Sequence, residues 1–205
     1  MVRLWGWLAR LAVVLPLVLG LGSCYLPDGF KSEIRLGRNG DFSILYLGDL
    51  TYGPLHEELV AGKLSPEEAK KKIQVVHDDL KRDGAFKQIT HKGGARFNVR
   101  YEFQGRLGES RLVTFVRRNA PILSLKSDIK NNTIVVDGTT LRRNDAQRAL
   151  TSGLTVSGEF RLITDGDVVS QNASEVRLHE GYRVYIWKIE NAFSPAPRFV
   201  MKRGA

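Results

Sequence analysis

The sequence predicts an α+β fold, a curved, mostly antiparallel sheet with one main amphipathic helix packed on it. Three observations lead there. One stretch, Ser65 to Asp83, has helical periodicity and signals for both of its ends. Nearly everything after it reads as short strands separated by turn residues. One of those strands, Ala95 to Gln104, alternates strictly between apolar and polar side chains, the period of a strand with one face in a core and the other in water.

The chain opens with Met1-Val2-Arg3, then Arg10, then an apolar run from Leu11 to Gly22. A basic start, a short apolar run and small residues at its end make a secretory signal. The run is well below the about 20 residues that a bilayer-spanning helix needs. It ends in Leu21-Gly22-Ser23-Cys24, with the chain's one cysteine. This ending resembles the lipobox of bacterial lipoproteins, in which the cysteine thiol accepts a diacylglyceryl group and the chain is cleaved just before it. The resemblance implies a signal peptide over residues 1–23, and lipidation at Cys24 with acyl groups such as palmitate. It also implies attachment to a membrane of the cell envelope. Tyr25 stands where an aspartate often marks inner-membrane retention, so in a diderm host it implies the periplasmic side of the outer membrane. An acylated Cys24 also leaves no thiol for a disulfide, and stability must come from packing.

Residues 24–40 read as a tether, rich in glycine and without sustained periodicity, although Ile34 and Leu36 already alternate. The following 41–194 is long enough for a single α+β domain with a real core, and 195–205 is a C-terminal tail. The formal charge is +9, and loss of Arg3 and Arg10 with the signal lowers it by two. A basic protein suits a polyanion. For an exported lipoprotein that means anionic lipid or envelope glycan, with no nucleic acid as partner. A solvated basic surface is the alternative.

From Asp41, Phe42, Ile44 and Tyr46 alternate with Ser43, Leu45 and Leu47. Both sets are largely apolar, so this strand is expected to be central or buried on both faces. In the helix, Ser65 is the N-cap, Pro66 suits the first turn and Glu68 completes a capping box. Ala69, Ile73, Val76 and Leu80 fall on one stripe, and Gly84 ends it. Further strands are expected over Arg111 to Arg117, Pro121 to Ile129, Thr133 to Val136, Thr155 to Thr164, Val168 to Gln171, Glu175 to His179 and Tyr182 to Glu190. Thr140 to Leu150 suggests a short helix capped by Asn144. Lys130-Asn131-Asn132, Asp165-Gly166 and Glu180-Gly181 read as turns, the last two as hairpins.

Motifs for chemistry are sparse. His56, His77, His91 and His179 are scattered, and His56-Glu57-Glu58 lacks the second histidine of a zinc protease helix. No nucleophile elbow, phosphate loop or dinucleotide fingerprint is present. The sequence therefore names no catalytic residue, no metal ligand and no cofactor. Two features remain. Phe97, Val99, Tyr101 and Phe103 line one side of the long strand and, joined by Tyr182, Val184 and Ile186, are the candidate walls of an apolar pocket, with a plain packed core as the alternative. Arg96 and Arg100 lie on its polar side, candidates for lipid head-group contacts. They belong to an arginine-rich middle region with Arg106, Arg111, Arg117, Arg118, Arg142, Arg143 and Arg148, which suits either head groups or a solubility coat that protects edge strands.

The C-terminal third, from Gly158-Glu159-Phe160 through Asp165-Gly166-Asp167-Val168-Val169 and Asn172-Ala173 to Tyr185-Ile186-Trp187-Lys188-Ile189, resembles the end of the LppM-like bacterial lipoprotein domain. The likeness extends loosely over residues 41 to 190. It implies a helix-grip-like α+β domain with an apolar cavity, used in envelope lipid handling rather than catalysis. Such proteins often carry a membrane segment near the C-terminus, and Arg198 to Ala205 does not fit one. The expected function is a non-catalytic envelope lipoprotein that binds a lipid or other amphiphile. The alternative is a scaffold that docks an envelope protein partner; an envelope hydrolase is a third reading.

Overall fold

The computed structural model describes residues 25–108, 112–117 and 120–204. The signal segment and Cys24 lie outside them. The fold is α+β, with two sheets and three helices among the described residues. In chain order the elements are β1 (Tyr25–Leu36), β2 (Asp41–Tyr52), α1 (Gly53–Val60), α2 (Pro66–Lys81), β3 (Phe86–His91) and β4 (Arg96–Arg106). There follow β5 (Leu112–Arg117), β6 (Ala120–Asp128), β7 (Thr133–Gly138), α3 (Arg143–Thr151), β8 (Gly158–Thr164), β9 (Val168–Gln171), β10 (Glu175–His179), β11 (Tyr182–Ile189) and β12 (Arg198–Lys202).

The strands divide between two sheets rather than forming the single expected one. A seven-stranded sheet has the order β10-β11-β8-β1-β2-β4-β3, and a five-stranded sheet β5-β6-β7-β12-β9. Only the β1–β8 pairing in the first is parallel; the other pairs are antiparallel. Both sheets share one core. Ile34, Leu36, Phe42, Ile44, Phe97 and Leu162 of the large sheet bury in one cluster with Phe115, Leu125, Ile134, Val136, Phe199 and Met201 of the small one. Val76 and Leu80 of α2 join that cluster, with Ile73 packed against it, as the stripe predicts.

The opposite face of the large sheet is solvated. It carries four arginine–glutamate pairs two residues apart: Arg35–Glu33, Arg100–Glu102, Arg161–Glu159 and Arg177–Glu175. β2 is therefore central, but of the six side chains expected to be buried only Phe42, Ile44 and Tyr46 are, and Leu47 faces water. The expectation of burial on both faces is corrected.

Other expectations change. Residues 25–36 are no tether: Tyr25, Leu26, Phe30, Ile34 and Leu36 are buried and pair across β2 and β8. Part of the expected C-terminal tail is β12, which inserts between β7 and β9 with Phe199 and Met201 fully buried. Helix α1 was not expected; Pro54 starts it, and its eight residues are too few to display a full apolar stripe. Helix α3 forms, but its N-cap is Arg142 without a side-chain bond, not Asn144. Asp165-Gly166 is no hairpin: it takes the chain from β8 in one sheet to β9 in the other, and Asp165 accepts hydrogen bonds from the backbone N–H and Nε of Arg38. Glu180-Gly181 does close the β10–β11 hairpin, both residues having positive φ.

Candidate apolar cavity between the sheets

The first turn of β1 builds the site. Pro27-Asp28-Gly29 interrupts the ladder with β2, where the register shifts between Asp28 and Lys31. The bulge turns Phe30 into the space between the sheets, and two glycines make room for it. A Cβ on Gly48 would lie 2.6 Å from the Phe30 Cα, and one on Gly158 would collide with the Phe30 ring. The ring then stacks on Tyr46 at 5.6 Å. The Tyr46 hydroxyl donates to the Asp49 carbonyl at 2.7 Å, and burial pushes its pKa well above the ordinary value, with Asp49 and Asp28 adding to the rise. Tyr46 is neutral at any physiological pH.

Asp28 fixes the other wall. Its carboxylate accepts from the Thr155 hydroxyl at 2.6 Å, and from the Ser157 backbone N–H and hydroxyl at 2.9 and 3.0 Å. Burial pushes this carboxyl up, but the bonds from Thr155, Ser157 and Gly29 together outweigh it and hold the pKa below its usual value. Between the two clamped residues stands Val156 with φ of 53°, an outlier for a β-branched side chain. Conformations of this kind cost on the order of 1–3 kcal/mol and persist only where the surroundings impose them. The Asp28 clamp imposes this one, and the Val156 side chain lines the cavity.

The cavity itself has a volume of about 110 Å³. Phe30, Tyr46 and Phe160 wall it from the large sheet, and Phe115, Ile122 and Leu123 from the small one. Leu26, Leu141, Ala192 and Pro197 complete it at the β1 end. Among the described residues no charged side chain and no histidine lines it. Three polar side chains on its wall are already engaged: Ser32 donates to the Leu45 carbonyl, Thr139 to the Pro121 carbonyl, and the Ser194 hydroxyl accepts from the backbone of Glu190 and Asn191. A predominantly apolar space of this kind suits hydrocarbon rather than water.

None of the seven side chains expected to wall a pocket lines this one. Phe97 and Val99 are buried in the common core. Tyr101 is buried too, its ring 4.7 Å from Phe115 and 5.0 Å from Phe86. Phe103 is 41 % exposed and rests on Phe42, and Tyr182 is 51 % exposed at the β10–β11 turn. Val184 is half-buried, and Ile186 is buried on the opposite face of β11 from Tyr185 and Trp187. Arg96 and Arg100 do not border the cavity; they pair with Asp49 at 3.9 Å and Glu102 at 2.5 Å. The packed-core alternative describes Phe97, Val99 and Tyr101.

Tyr46, Ile122, Leu123 and Phe160 lie in strands that were expected, but two residues that shape the cavity came from a segment without a strong period. Asp28 was hidden in a turn-like Pro-Asp-Gly, and Phe30 by the bulge that breaks β1's alternation. Asn172, within the quoted C-terminal stretch, joins three elements. Its side chain accepts from the Trp187 indole and the Arg198 backbone, both at 2.7 Å, and donates to the Ala196 carbonyl at 2.9 Å. This holds the 191–197 segment over the cavity. Among the described residues no three metal-ligating side chains cluster, and no helix is long and apolar enough to cross a membrane.

Fold and cavity together define an α+β two-sheet domain with an apolar chamber between its sheets. The sequence matches no protein-family model and no curated protein. Among solved structures it is similar to the folded domain of the Mycobacterium tuberculosis LppM protein, determined by NMR. That match covers 86 % of this chain and 90 % of that one, at 11 % identity and a TM-score of 0.44.

Proposed function

We propose that this protein is an envelope lipoprotein, acylated on Cys24, whose non-catalytic domain holds the apolar end of an amphiphile between its two sheets. The carrying observation is the cavity, about 110 Å³ and lined by no charged side chain among the described residues. An engineered apolar cavity of about 150 Å³ admits benzene, so this space takes the end of one acyl chain, not a whole lipid. Each methylene moved there from water contributes about 0.8 kcal/mol. Among the described residues no acid, histidine or lysine lines the site, so the reading is a binding role without catalysis. The membrane address rests on the Leu21–Cys24 ending and, in a diderm host, on Tyr25.

The test has two arms. Fatty-acid labelling of cells should mark the wild type and not Cys24→Ser; equal label would remove the anchor. Organic extraction of the folded protein purified from its own host should release a stoichiometric amphiphile beyond the Cys24 acyl groups, and its absence would remove the ligand.

A scaffold role is the second reading, and one observation favours it. Strand β10 is one edge of the large sheet and leaves Val176 and Leu178 exposed. Unpaired edges of this kind accept an added strand from a partner.

A further inference from the structure

The end of the fold where β1 starts gathers three features. Tyr25 is already a buried, paired strand residue, and it directly follows Cys24 in sequence. Consecutive Cα atoms are about 3.8 Å apart, so a lipid on Cys24 has no tether to separate it from the domain. Next, Leu26 packs in a small cluster of its own with Ala149, Leu154 and Val156, and with Leu141 and Ala192 against them. The chain neighbours of that cluster turn outward: Leu150 and Phe193 expose apolar side chains, Phe193 at 47 %, and Arg142 and Arg143 are exposed beside Leu141. Finally, Leu26, Leu141, Val156 and Ala192 line the cavity as well.

We propose that this end is a membrane-seating face, which lies on an anionic bilayer with Phe193 and Leu150 at the lipid and Arg142 and Arg143 at the head groups. The proposal rests on Cys24 being acylated. Charge favours it: Arg142, Arg143 and Arg148 stand on or beside α3 against one acid, Asp145, and basic residues are drawn to an anionic surface. Seated in this way, the Leu26–Leu141–Ala192 side of the cavity faces the bilayer. An amphiphile then enters tail first from the lipid, without its chain crossing water.

The opposite end supplies the control. Leu36 pairs with Thr164, Thr164 with Arg183, and Arg183 with Leu178. Along β1 that end lies roughly 30 Å from Leu26, at about 3.3 Å per residue. Leu178 is 78 % exposed, so hydrophobicity alone would send it to the lipid ahead of Phe193. The seating geometry keeps it in water.

The experiment uses the full-length acylated chain in vesicles of phosphatidylglycerol and phosphatidylethanolamine, with spin labels on Phe193→Cys or Leu178→Cys. Collision with oxygen reports lipid, and collision with an aqueous nickel complex reports water. Mass spectrometry of the same samples measures Cys24 acylation. The ratio of oxygen to nickel accessibility should be severalfold higher at 193 than at 178, and Arg142→Glu with Arg143→Glu should lower it. Equal ratios in acylated protein would overturn the seating and leave the lipoprotein reading intact. A 193 label that is immobilised yet inaccessible to oxygen would overturn it in favour of a protein contact. Unacylated Cys24 would overturn both.

Discussion

At Asp28 one carboxylate decides the shape of the cavity wall. Asp28→Asn keeps the size but weakens charge-assisted bonds to Thr155 and Ser157, and should cost about 1–3 kcal/mol. Because the native pKa is held below its unfolded value, the stabilisation is present above the unfolded pKa and is lost as pH falls through the native one. Denaturant titrations across the acid range should therefore show a wild-type loss that Asp28→Asn lacks; parallel curves would contradict the clamp. At Gly158, alanine would drive a Cβ into the Phe30 ring. That substitution should destabilise by at least about 1–3 kcal/mol, as overpacking does, and a neutral result in thermal unfolding would mean the bulge yields. Tyr101, packed on Phe115 and Phe86, should lose about 3–5 kcal/mol on truncation to alanine, with or without ligand. A ligand-dependent loss would restore it to the pocket.

Among the elements, α2 was the most legible because its signals are local. Ser65 accepts from the Glu68 backbone N–H, and the Glu68 carboxylate accepts in return from Ser65. Ser65→Ala should cost on the order of 1 kcal/mol, and Leu80→Ala, at a fully buried position, about 2–5 kcal/mol. Reversed costs in urea titration would misplace the helix face. A long-range contact on the same helix carries no such local signal: Lys72 reaches Glu58 of α1 at 2.5 Å. Long-range partners explain what the sequence left hidden. β4 could be read because alternating apolar residues persist from Phe97 to Tyr101, whereas β1 could not, since a bulge breaks its alternation after Leu26. The allocation of strands to two sheets depends on pairings such as β1 with β8, more than a hundred residues apart in sequence. Nothing local in Asp165-Gly166 distinguishes a hairpin from a crossing between sheets.

For the whole molecule the consequence is a chamber whose walls come from both sheets, so it exists only when they are docked. A ligand bound there stabilises the folded state by mass action. The central claim is that the chamber holds an acyl chain, and stripping it measures this most directly. The full-length protein purified from its host should fall in Tm after delipidation and recover on adding back its extracted lipid. Ile122→Trp, which fills the chamber from the small sheet, should be folded yet insensitive to both treatments. An unchanged Tm in the delipidated wild type, or a lipid response that survives in Ile122→Trp, would contradict the account.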